Sequence, residues 1–189
     1  MIGVGGWLFR RRTWLPLPLA IAILALPPAS GSWRLICAGV AVVIAGELLR
    51  LWAVRHIGVI SRTRSDRLGP VISSGPFGLM RNPLYLGNIL LWTGFALSAR
   101  VPWMAPVAVV LLGFEYHAIV RWEEALLEER RGDDYRAYVA RVPRWIPALR
   151  PGAFTGAPSF SWGQTFFSER GTLLAIAAGY LVLWLRHFV

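Results

Sequence analysis

The chain contains no lysine, so its formal net charge of +10 comes from 20 arginines set against only 10 acidic residues. It has one cysteine, Cys37, which lies in an apolar run. An internal disulfide is therefore excluded, and the thiol reads as a small buried hydrophobe. No Cys/His cluster with metal-ligand spacing occurs, so no metal site is expected. The period-2 alternation that marks a membrane barrel is missing, and so are internal repeats and low-complexity segments. On a soluble chain this much positive charge would suggest a nucleic-acid partner. Here the arginines flank apolar runs, which fits anionic headgroups and membrane topology instead, and no nucleic acid is expected.

What the chain has in abundance is apolar surface: 56% of its residues are hydrophobic and its mean hydropathy is +0.51. Soluble domains of this size rarely read so apolar, and in lipid only helices and closed barrels satisfy the backbone. The expected fold is all-α, a polytopic transmembrane bundle of about five spans with a cytosolic C-terminal cofactor-binding region. Residues 1–150 form the expected core, and residues 151–189 a loop plus an additional C-terminal span. WLFRRR at Trp7–Arg12 is an interfacial basic start. The Trp14–Pro28 run follows, interrupted by prolines and short for a span; it reads as a span rather than a cleaved signal because further membrane segments follow. The next spans run over Trp33–Ile57, Pro83–Ser98 and Pro102–Arg131. The last of these is too long to lie wholly in lipid. A short amphipathic helix over Asp133–Val142 and a fifth run over Gly171–Val189 complete the chain.

Arginine placement sets the expected orientation. Arg10, Arg11 and Arg12, then Arg62, Arg64 and Arg67, then the arginines from Arg130 to Arg150 fall on one side. The other side carries only Arg34 and Arg100. The positive-inside rule puts the first group in the cytoplasm. On that side the stretch Arg81-Asn82-Pro83 opens the third span, with Asn82 suited to an N-cap and Pro83 to the first helical position. Free N–H groups at this helix start and the Arg81 fork could take a carboxylate or phosphate. Arg81 could equally snorkel to headgroups. Glu123 and Glu124 close the fourth apolar run on the same side. Neighbouring helical residues point about 100° apart, so the two carboxylates are expected to have separate roles, one inward and one paired with Arg121 or solvated. An anion site at one end and a carboxylate for a ribose diol at the other would suit S-adenosylmethionine or part of a dinucleotide.

The motif SSGPFGLMRNPLYLG, followed some forty residues later by EEALLEERRGDDYRAYVARVPRWIP and preceded by LLRLWAVRHIG, resembles the isoprenylcysteine carboxyl methyltransferase and phospholipid methyltransferase superfamily. The resemblance covers about Glu47 to Pro147. It implies a helical bundle that binds S-adenosylmethionine on the cytosolic side and admits a lipophilic substrate from the bilayer. By position, it implies a cofactor site of Val71, Ile72, Phe77, Asn82, Pro83, Leu84, Tyr85 and Glu123, to which the Arg81 fork is added by its charge. Family members often carry His where this chain has Asn82; Asn-Pro occurs in phospholipid-type relatives. In some members an arginine just before the acidic pair contacts substrate. The matching position here is Ile119, and Arg121 stands nearby. Arg121 and Glu124 are therefore the candidate catalytic residues.

Methyl transfer from a sulfonium needs alignment and exclusion of water, and a base only where the nucleophile carries a proton. Glu124, His117, Glu115 and Glu47 are base candidates, although Glu47 with Arg50 also reads as a structural ion pair. His56 and His187 read as interfacial and terminal. The acceptor stays open between phospholipid amines, prenylated cysteine carboxylates and small lipophilic thiols or amines. The rival functions are an NADPH-dependent membrane reductase of the sterol-reductase type, whose chains carry about twice the spans, and a non-catalytic lipid-binding protein.

Overall fold

The computed structural model describes residues 2–29, 33–58, 71–148 and 156–186. Arg62, Arg64, Arg67 and His187 lie outside these residues. The elements are α1 (Ile2–Arg11), α2 (Leu17–Ala25), α3 (Trp33–Ile57), a 3-10 turn (Gly75–Gly78), α4 (Pro83–Ser98), α5 (Met104–Arg141) and α6 (Trp162–Leu185), and no strand occurs among the described residues. The fold is all-α, as expected.

α3, α5 and α6 are long and apolar enough to cross a bilayer. α4 has 16 residues and α2 only nine. At 1.5 Å per residue α2 is about 14 Å long, less than half of a hydrocarbon core of about 30 Å. The first expected span is thus a short helix after a tight turn, in which Trp14 N–H donates to Arg11 O at 2.9 Å. The part of α5 before Gly132 runs about 42 Å, so its end projects past a hydrocarbon core of about 30 Å. Its helical dihedrals break at Gly132 (φ 49°, ψ −120°), the boundary expected between the apolar helix and the amphipathic one. α6 begins at Trp162 rather than Gly171. Ser161 and Gln164 form a capping box, each side chain accepting from the other's backbone N–H, and this starts the helix in polar sequence ahead of the apolar run.

α3 and α4 pack through facing glycines. A Cβ on Gly94 would sit 2.6 Å from Gly39 O, and one on Gly46 would sit 2.9 Å from Gly87 O. Without side chains there, the two backbones approach closely, as membrane helices do when little hydrophobic force separates protein from lipid. The buried core lies mainly along α5, with Ala108, Leu112, Ile119 and Val120 at its centre. α1 lies against α5, where Phe9 packs on Trp122. α6 attaches to α3 and α4 by one face, and most of its surface, including Phe167, Leu174 and Trp184, is exposed for lipid. Cys37 is exposed, not buried as its apolar setting suggested, because α3 turns that side away from α4.

The chain ends of the helices are tied in two groups. At one end, Ala29 N–H donates to Arg100 O at 2.8 Å, and Arg186 donates to Ile23 O and Leu26 O. At the other end, Phe160 N–H donates to Arg55 O at 3.0 Å, and Ser159 Oγ donates to His56 O at 2.7 Å. The second end gathers the close of α3, the start of α4, the acidic pair of α5 and the start of α6.

Candidate functional site

The segment before α4 is held by the part of α5 beyond Gly132. Val71 packs on Tyr135, Tyr138 and Val142. The Tyr138 hydroxyl donates to Phe77 O at 2.8 Å, Arg81 N–H donates to Pro143 O at 2.9 Å, and Ala148 N–H donates to Leu79 O at 3.0 Å. Gly75 has φ +57° and lies against the His56 ring, so no side chain fits there. His56 Nδ1 in turn meets Ser74 Oγ at 3.0 Å. The two sequence motifs are thus bound to each other along their length.

Where α4 begins, Pro83 takes the first-turn position as expected, but Asn82 does not cap the helix with its side chain. Its φ of −127° and ψ of 51° turn the amide elsewhere, and Asn82 Nδ2 donates to Arg144 O at 3.1 Å. One turn into α4, the Tyr85 hydroxyl donates to Glu123 Oε1 at 3.0 Å. The Tyr85 ring packs on Tyr116, with centroids 4.8 Å apart. Glu124 points differently, as helical geometry requires. It accepts from Arg81 Nη1 at 2.8 Å and from Arg144 Nη2 at 2.6 Å. This bond to Glu124 holds the Arg144 guanidinium above its ordinary pKa. The expectation that Glu124 pairs with Arg121 or faces solvent gives way to this double clamp, because the 142–148 segment folds back and delivers Arg144. Arg81 is correspondingly not a free fork, although its Nε remains a buried donor without a partner.

Of the other site candidates, Phe77 is buried and Ile72 and Leu84 are half-buried beside the same helix start. Ile119 is fully buried, whereas Arg121 is exposed and makes none of the site's hydrogen bonds. Among the base candidates, Glu47 and Glu115 lie deeper and hold buried oxygens without hydrogen-bond partners, and His117 is half-buried. The Glu47–Arg50 pair is present at 3.6 Å, and Arg50 additionally donates to Asn88, to Glu169 at 2.5 Å and to Thr172 at 3.2 Å. Sequence reasoning missed Arg144 and Arg12 as site residues. Arg12 rests on the Phe9 ring of the cluster that holds Tyr85, and its charge acts on both Tyr85 and Glu123. In the sequence both read as topology charges, and nothing local separates them from their neighbours.

The phospholipid methyltransferase (PEMT) family matches residues 34–133, which run from the start of α3 to just past the acidic pair. The chain belongs to the phospholipid methyltransferase family. Similar proteins include a cobalt-zinc-cadmium resistance protein, CzcN, from Cupriavidus metallidurans, 32% identical over 63% of this chain and 53% of its own length. A nickel-cobalt-cadmium resistance protein, NccN, from Alcaligenes xylosoxydans xylosoxydans is 25% identical over 69% of this chain and 62% of its own. The Protein-S-isoprenylcysteine O-methyltransferase B of Arabidopsis thaliana is 25% identical over 66% of each chain. The matched part spans about half to two thirds of the length of these relatives. No solved structure matches. The family match and the methyltransferase relative support both branches of the superfamily resemblance. Among the described residues, no group of three or more His, Cys, Asp or Glu side chains is placed to hold a metal.

Proposed function

We propose that this chain is an integral membrane methyltransferase that moves the methyl group of S-adenosylmethionine to a lipophilic acceptor arriving from the bilayer. The observation that carries the reading is the Tyr85–Glu123 hydrogen bond of 3.0 Å, which joins the start of α4 to the end of the apolar part of α5. The donor set fits the cofactor. Arg81 Nε is a buried donor still lacking an acceptor, and Glu123 uses only one oxygen on Tyr85. In this reading Arg81, Asn82 and the N–H groups after Pro83 face the cofactor's carboxylate, and Glu123 accepts from its ribose hydroxyls. Val71, Ile72, Phe77, Leu84 and Tyr85 supply the apolar cover. When bound, S-adenosylmethionine would supply an electrophilic methyl on a sulfonium. The protein's part is to align donor and acceptor and to keep water out. Glu124 and Arg121 remain the candidates for contact with the acceptor, with Glu124 placed by its two arginines and Arg121 reaching the surface.

By the positive-inside rule the site would face the cytoplasm, with α3, α4, α5 and α6 crossing and α2 with the stretch after it running from the Arg12 turn to the opposite end, where Ala29 N–H meets Arg100 O. The acceptor remains a phospholipid amine, a prenylated cysteine carboxylate or a small lipophilic thiol or amine. A tryptophan-fluorescence titration of the purified protein tests the reading, since Trp122 adjoins Glu123 in sequence. A saturable change with S-adenosylmethionine and none with NADPH is expected. The opposite pattern supports the reductase reading, and no response to either supports a non-catalytic lipid-binding protein.

A further inference from the structure

Three consecutive arginines close α1, and they do not behave alike. Arg10 and Arg11 are exposed, and Arg11 lies over the Trp7 ring at 5.0 Å. Arg12 is half-buried, its guanidinium 4.0 Å over the Phe9 ring, and Phe9 packs on Trp122 with centroids 5.0 Å apart. Phe9, Trp122 and Tyr85 pack in one cluster, so that stack sets the guanidinium beside the Tyr85–Glu123 pair, where its charge acts on both groups. α1 can lie this close because Gly5 and Gly6 press on Ala118 and Trp122, where no side chain fits Gly5. All of this precedes residue 34, where the family match begins, so the family match assigns no role to Arg12.

We infer that Arg12 is a positioning residue of the site, a cation on the α1–α2 turn that holds the Glu123 carboxylate and the Tyr85 hydroxyl in register. The physical need is plain. Glu123 sits beside Glu124, and Glu124 already takes both Arg81 and Arg144. Glu123 otherwise has a phenol as its partner, and a carboxylate among packed side chains is costly without a cation. The guanidinium supplies that charge while its face rests on Phe9, a combination an ammonium reproduces only in part. The inference rests on the cofactor reading for its effect on binding, but the coupling of Arg12 to Glu123 does not.

The test is a double-mutant cycle in detergent or nanodiscs, read by S-adenosylmethionine affinity and by thermal midpoint. Arg12→Gln is expected to weaken binding about tenfold, the scale of a nearby charge in a partly buried setting. Arg12→Lys should recover part of that loss. Arg10→Gln and Arg11→Gln, which change charge and topology signals equally, should leave affinity unchanged. The Arg12→Gln/Glu123→Gln double variant should bind no worse than Glu123→Gln alone. Equal losses for all three arginines, or additive losses in the double variant, would overturn the inference. If the wild-type protein binds no S-adenosylmethionine, the cofactor reading fails. The thermal cycle still decides: non-additive midpoints support the coupling, and additive ones refute it.

Discussion

Arg50 of α3 donates to Glu169 of α6 at 2.5 Å, a contact between residues 119 positions apart. Both side chains are nearly buried, and the same guanidinium reaches Thr172 of α6 and Asn88 of α4. One arginine thus pins the polar first turns of the C-terminal helix to α3 and α4, ahead of its apolar run. Removing one partner of a buried pair leaves the other charge uncompensated, at a cost of about 3–5 kcal/mol. Glu169→Ala should therefore lower the thermal midpoint in detergent sharply, and a truncation before Trp162 should do so as well. A Glu169→Ala protein as stable as the wild type would mean that α6 is held by other means.

The glycine seam between α3 and α4 makes a steric prediction. Gly94→Ala places a methyl carbon 2.6 Å from Gly39 O and from Val43 Cγ2, two positions that cannot yield without parting the helices. The expected loss is about 1–3 kcal/mol of stability, the usual range for overpacking. Gly113→Ala meets nothing within 4 Å and should be neutral or slightly stabilising in a helix interior. Chemical or thermal unfolding of the two variants side by side checks this. Equal stability would remove the seam from the account.

Around Glu124 the two arginines are unequal. Arg81 is the more deeply buried and Arg144 the more exposed of the pair. Arg81→Ala should cost more stability than Arg144→Ala. Glu124→Gln should destabilise as well, because two guanidinium groups are then left facing a neutral amide. Differential scanning fluorimetry can order the three variants, and a larger loss at Arg144 would contradict the geometry.

The start of α4 gives a ligand-binding prediction. Asn82→Ala removes the side chain that ties this helix start to Arg144 O, whereas Pro83→Ala keeps a residue compatible with the first helical position. Asn82→Ala should weaken S-adenosylmethionine binding more than Pro83→Ala. The reverse order in a binding titration would shift the emphasis from the amide contact to the fixed proline backbone.

Much of this was legible before any coordinates. The ends of α3 match the apolar run from Trp33 to Ile57, because arginine and histidine close it against the interface. The break at Gly132 was visible as glycine between an apolar helix and a charged one. That Tyr85 meets Glu123 followed from arginine asymmetry, which put both helix ends on one side, together with the paired motifs. What could not be read was long-range and directional. Asn82 has the chemistry of a cap, and only the fold-back of 142–148 supplies the carbonyl that draws its amide away. Arg12 differs from Arg10 and Arg11 only through the rotation of α1, fixed by glycines packed on a helix more than a hundred residues later. The early start of α6 was hidden because a capping box works in polar sequence, where a search for apolar runs is blind. Cys37 faces outward because, in a membrane, an apolar position can face either protein or lipid.

The account depends most directly on Glu123 serving the cofactor. Calorimetric titration of S-adenosylmethionine into wild-type and Glu123→Ala protein in the same nanodiscs measures this. The expected result is clear binding by the wild type and affinity weaker by about tenfold or more in the variant, about 1.4 kcal/mol at the least. Binding of equal strength by both proteins would contradict it.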